Sequence, residues 1–110
     1  MQHEITLATA VVMTGRYRNA QPENYPLCES FELASVQRLL ATPQAAFLRL
    51  YYGLHEDGKM DAILVVADSE GHDILPPDMQ GLAANETDPV ILQDGYRCPP
   101  ACPPASPLNP

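Results

Sequence analysis

Near the amino terminus Ile5, Ala8, Val11, Val12 and Gly15 recur at helical spacing, with Leu7 beside them. That period puts them on one helix face. Thr6 supplies an N-cap oxygen, and Arg16 and Arg18 fall in the last turn, where cations meet the carbonyl end. The pattern predicts a helix over residues 6–19. Gln21-Pro22-Glu23-Asn24-Tyr25-Pro26 then breaks the period and reads as a loop. A second period, Leu33, Val36, Leu39 and Leu40, predicts a short helix that starts at Ser30 or Ser35. It stops near Thr42, because Pro43 disfavours helical backbone in the residue before it. Ser30-Phe31-Glu32-Leu33 also reads as an extended entry to that helix.

From Ala46 the period changes to two. Leu48, Leu50 and Tyr52 fall on one side of a strand and Phe47, Arg49 and Tyr51 on the other. Gly53 to Lys59 contains an Asp57-Gly58 step that tolerates positive φ, and Met60–Ala67 returns as a nearly continuous apolar strand. The two make a hairpin over 46–67. A third, short strand is expected at His72–Leu75, ended by Pro76-Pro77, and Pro89–Leu92 reads as a last strand or a segment docked on the body. The fold class that follows is α+β, with two N-terminal helices packed on a small antiparallel sheet and an irregular Pro-rich C-terminal tail. Ile63–Val66 is apolar on both faces, so helices are expected on one side and a second copy of the chain on the other, as a homodimer. The organisation is one domain over 1–97 and a Cys/Pro-rich tail over 98–110. In the tail Pro100, Pro103, Pro104, Pro107 and Pro110 approach the three-residue period of a polyproline helix, which suits a spacer or a peptide docking on a protein partner.

Composition sharpens this picture. The 110 residues have no Trp and two Phe, so the core is aliphatic and small. The net charge of −8 falls wholly in residues 56–110, while Glu4, Glu23, Glu29 and Glu32 balance four arginines in the first half. An acidic chain without a basic stripe argues against nucleic acid and anionic membranes as partners. No apolar run approaches the roughly 20 residues needed to span a bilayer. Met1-Gln2-His3-Glu4 lacks the positive start of a signal peptide, so a cytoplasmic location is expected.

Phe47-Leu48-Arg49-Leu50-Tyr51-Tyr52-Gly53-Leu54, then Asp57-Gly58-Lys59, Leu64-Val65-Val66-Ala67-Asp68, Gly71, Asp73 and Cys98-Pro-Pro follow one another in a fixed order, after Ile5-Thr6-Leu7-Ala8 and Tyr17-Arg18. In this order the chain resembles a family of small uncharacterised bacterial proteins. The resemblance implies a bacterial α+β domain with a hairpin and a cysteine-proline terminus, and it supplies no catalytic residue. Cys28 and the extension after Cys102 lie outside it.

Candidate chemistry centres on Cys98-Pro-Pro-Ala-Cys102. Two closely spaced thiolates suit a soft metal such as zinc, whose tetrahedral site needs two further ligands, by type Cys28 and one of His55 or His72. The same pair also suits a disulfide pinning the start of the tail, with Cys28 a buried free thiol, or three free thiols. His55-Glu56-Asp57 and Glu70-Gly71-His72-Asp73 put imidazoles beside carboxylates at two turns, yet neither matches a catalytic or metal-loop spacing, and both read as solvated tips. Two function classes remain: a non-enzymatic protein-interaction module, and a metal- or thiol-dependent protein using Cys98 and Cys102. The absence of any catalytic spacing favours the first.

Overall fold

The computed structural model describes residues 1–20 and 23–110, so Gln21 and Pro22 of the predicted loop lie outside the described residues. The elements run α1 (Leu7–Ala20), β1 (Cys28–Ser30), α2 (Leu33–Leu40), β2 (Phe47–Leu54), β3 (Met60–Ala67), β4 (Asp73–Ile74) and β5 (Tyr96–Cys98). The class is α+β, with a three-stranded antiparallel sheet ordered β2-β3-β4 and a two-stranded one pairing β1 with β5. Among the described residues no helix is long and apolar enough to cross a membrane.

The hairpin forms as its alternation predicts. Its register is unbroken from Phe47 opposite Ala67 to Leu54 opposite Met60. At its tip the His55 N–H donates to Lys59 O at 2.9 Å and the Gly58 N–H to His55 O at 2.9 Å. Gly58 sits at φ +87, which a residue without Cβ adopts freely. β4 pairs Ile74 with Val66 and Asp73 with Ala67. Pro89–Leu92 docks beside β3 through a single bridge, Leu64 and Leu92 exchanging hydrogen bonds of 2.8 and 3.0 Å.

Helix ends follow local chemistry. The Thr9 N–H donates to Thr6 Oγ1 at 3.1 Å, so Thr6 caps α1 as expected. Neither Ser30 nor Ser35 starts α2. Ser30 belongs to β1, and the residue at the cap, Glu32, makes no side-chain cap bond. α2 ends where Thr42 Oγ1 donates to Leu39 O at 2.7 Å, just before Pro43.

The core is small and aliphatic. Leu39 of α2 meets Leu64 and Val66 of β3, with Phe31, Ala45, Ile74, Val90 and Leu92 around them. α1 lends no buried residue to it. Instead, Tyr17 Oη donates to Pro26 O at 2.5 Å, and Arg18 Nη1 donates to Leu108 O at 3.4 Å, so the C-terminal tail lies against α1. Leu64–Ala67 are buried within the single chain. Within the three-stranded sheet the exposed large apolar side chains belong to β2, not to β3 as the sequence suggested.

The segment after β4 is held by side chains. Arg38 Nη2 of α2 donates to Asn85 O at 2.8 Å and to Asp88 O at 2.9 Å. Asp88 Oδ2 accepts from the Ala84 and Asn85 N–H groups. The chain then returns as β5, placing Tyr96 opposite Ser30, Arg97 opposite Glu29 and Cys98 opposite Cys28. Within the tail, the Ala101 N–H donates to Arg97 O at 2.7 Å, and Ser106 and Asn109 bond reciprocally at 3.1 and 3.0 Å. Two turns therefore interrupt the proline period, and the tail doubles back rather than running as one ridge.

Candidate functional site

Asp61 is the one acid inside the apolar Met60–Ala67 strand, and it is buried at 7% exposure. A buried carboxylate needs partners. His55 Nε2, at the end of the hairpin's first strand, lies 2.5 Å from Asp61 Oδ2, and Gln93 Nε2 donates to the same oxygen at 2.9 Å. Arg97 Nε of β5 lies 3.4 Å from Asp61 Oδ1. Glu29 of β1 accepts the Ala62 N–H on both oxygens, at 3.2 and 3.3 Å. Arg97 also donates to Asn24 O and, at 3.4 Å, to Met60 O. This polar group therefore joins the two sheets and opens into a cavity of about 200 Å³ lined by Gly53, Leu54, His55, Asp61, Ile63 and Gln93. Gly53, opposite Asp61, keeps the register tight there, since a Cβ would stand 2.9 Å from Ile63 Cδ1.

The two carboxylates differ in proton affinity. For Glu29, burial raises the pKa, the Ala62 N–H opposes it and the negative Asp61 adds to the rise, with a net shift upward. For Asp61, burial also pushes upward, but hydrogen bonds with His55, Glu29 and Gln93 and the charge of His55 outweigh it, so its pKa falls. Asp61 thus holds the charge and Glu29 holds a proton more readily. Asp61 Oδ1 is buried without a hydrogen bond, and a proton on Glu29 supplies a donor to that carboxylate. A His–Asp pair can relay a proton, and the described residues that line the cavity beside it carry no hydroxyl or thiol.

The sequence candidates fall in three places. Cys98 and Cys102 form a disulfide with Cα atoms 4.4 Å apart, and Cys28 is a free thiol directly across the ladder from Cys98. His55 belongs to the Asp61 group. His72 sits exposed at its turn, 3.5 Å from Asp68 and 3.7 Å from Glu70. The cysteines come together and the histidines do not join them. Among the described residues no group of three or more His, Cys, Asp or Glu is arranged to hold a metal ion. Sequence reasoning missed Glu29, Asp61, Gln93 and Arg97. A lone acid in an apolar strand, and one of only two bases in residues 56–110, were the available signals.

One edge of the three-stranded sheet is apolar and open. β2 is an edge strand, and Phe47, Leu48, Leu50, Tyr51, Tyr52 and Leu54 are all exposed. Arg49, its single charged residue, bonds Asp73 Oδ1 at 2.6 Å, and Tyr51 Oη donates to Asp73 Oδ2 at 2.5 Å. No protein-family model, curated protein or solved structure matches this chain.

Proposed function

We propose that the protein is a non-enzymatic interaction module that self-associates, β2 of one copy pairing antiparallel with β2 of a second. The state of β2 carries this reading. Edge strands that stay solitary are short, bulged, or guarded by Lys or Pro, because their free N–H and C=O groups template another strand. β2 is eight residues long, has an unbroken register and carries no Lys and no Pro. A two-fold axis beside it extends the three-stranded sheet to twice its width and satisfies the free edge of both copies.

Charge permits a second copy as the occupant. Two acidic chains repel, but the excess acid lies in residues 56–110, and Asp73 neutralises the only charge on β2. The six exposed apolar side chains stand on both faces of β2, and pairing covers the part of each beside the strand edge, an interface on the small side. A standard interface uses about 800 Å² per partner. The motif order that resembles the small bacterial family also falls largely on this hairpin.

Sedimentation equilibrium tests the proposal. A reversible species of twice 12.0 kDa is expected, with β2 amides gaining hydrogen-exchange protection as concentration rises. A 12.0 kDa monomer at every concentration, with β2 amides unprotected, overturns it.

A further inference from the structure

Cys28 stands directly opposite Cys98, whose sulfur is already bonded to Cys102. Directly opposed residues of an antiparallel pair have Cα atoms about 4.5–5.5 Å apart. That separation lies inside the ~4.4–6.8 Å range over which a disulfide forms without moving backbone. Cys98 therefore has two bonding partners within reach, one across the ladder and one along the chain. It is also fully buried, so a reagent from solvent cannot approach it, whereas Cys102 is exposed. The thiol placed to attack Cys98 is that of Cys28.

Space for the change is present. A cavity of about 260 Å³ lies beside Cys28, bounded by Thr14, Tyr17 and Arg18 of α1 and by Pro103 and Leu108 of the tail. Pro103 follows Cys102 directly, so a released Cys102 moves with a segment that already borders open volume.

We infer that the three cysteines form a thiol–disulfide exchange site in which the bond passes from Cys98–Cys102 to Cys28–Cys98 and presents Cys102 at the surface. The Cys28 thiol loses its proton to solvent, and the thiolate attacks Cys98 Sγ. The Cys98–Cys102 bond breaks as the Cys28–Cys98 bond forms. Cys102 leaves as a thiolate and takes a proton from solvent. One disulfide and one thiol are present before and after, so no oxidant or reductant is consumed. The exposed Cys102 thiolate is then available to a disulfide-bearing small molecule or protein.

Trypsin reads the two forms directly. Cleavage after Arg18, Arg38 and Arg97 puts Cys28 in peptide 19–38 and both other cysteines in peptide 98–110. Full-length protein held at pH 8 without reductant, pulsed with iodoacetamide and quenched in acid, is expected to give label on both Cys28 and Cys102, together one equivalent. The digest is expected to contain peptide 19–38 disulfide-linked to 98–110. Cys102→Ser, treated with oxidised glutathione, is expected to form that linked pair in high yield. Label confined to Cys28 in the wild type, with no linked peptide in it or in Cys102→Ser, overturns the inference. The wild-type measurement decides the matter even if Cys102→Ser fails to fold, and neither outcome depends on self-association.

Discussion

Leu50→Lys is the substitution that addresses β2 pairing most directly. Leu50 lies next to the middle of the strand, so two antiparallel copies bring it close to their two-fold axis. It is 46% exposed in the single chain, and that is the part a partner covers. Full burial of a leucine is worth ~1.5–3 kcal/mol, so losing roughly half of it costs about 1 kcal/mol per copy. Two lysines facing each other across the ladder add up to about 1 kcal/mol of repulsion. The dimer therefore loses about 3 kcal/mol, and its Kd rises about 100-fold at ~1.4 kcal/mol per decade. Folding of the monomer is expected to weaken by up to about 1 kcal/mol, since about half of Leu50 is already covered there, with the lysine stem along Leu64, the residue paired with position 50, offsetting part of the loss. Sedimentation equilibrium gives the Kd and urea unfolding the monomer stability. Gln80→Lys, the same charge change on an exposed loop, serves as the control. If the two variants shift Kd equally, general charge rather than β2 governs association and the reasoning fails.

Three other outcomes follow from the interior. Gly95→Ala places a Cβ 2.8 Å from the Phe31 ring and 3.0 Å from Ser30 O, so a loss of about 1–3 kcal/mol is expected in urea unfolding; a change below about 0.5 kcal/mol shows that Phe31 yields freely. Arg97→Ala removes the guanidinium facing Asp61 and its bonds to Asn24 and Met60, and is expected to cost about 2–4 kcal/mol in the same assay; a neutral result would show that the two sheets are joined by packing alone. Glu29→Gln tests the raised pKa: the protonated form favours the fold below the ordinary carboxylate range, and that contribution is lost as pH rises through the folded value. Glutamine keeps the neutral form at all pH, so the variant's Tm is expected above the wild type's at pH 7 and level with it near pH 4. An equal shift at both pH values contradicts this assignment.

What the sequence disclosed was local. The hairpin was legible because β2 alternates at period two and Asp57-Gly58 marks its turn; α1 was legible because Thr6 precedes a helical period. β1 and β5 were not, since Cys-Glu-Ser and Tyr-Arg-Cys are three residues each, polar in the middle and without a repeat to detect. Their pairing is decided by tertiary structure. The Asp61 group is assembled from positions 29, 55, 61, 93 and 97, and no motif spans such separations. The amphipathic reading of α1 identified a helix but not its neighbour, because its apolar side chains are small or stay exposed and the tail, rather than the sheet, lies against it. The alternatives for Cys98 and Cys102 could not be separated by spacing, because a disulfide and a metal site both accept a four-residue step; only the register revealed Cys28 beside them.

The pairing of β1 with β5 sets an order of assembly. Ser30 meets Tyr96, so α2, the hairpin and β4 all lie inside the loop that this ribbon closes. Closing a flexible loop costs entropy that grows with the free length, about 0.6 kcal/mol per doubling. A hairpin already formed between Phe47 and Ala67, with β4 and α2 packed on it, removes most of that free length. The expected order is local contacts first and the ribbon last, because loop-closure entropy is lost before a non-local pairing repays it. On a growing chain β1 waits unpaired until α2, the hairpin and β4 have all been made and β5 follows them.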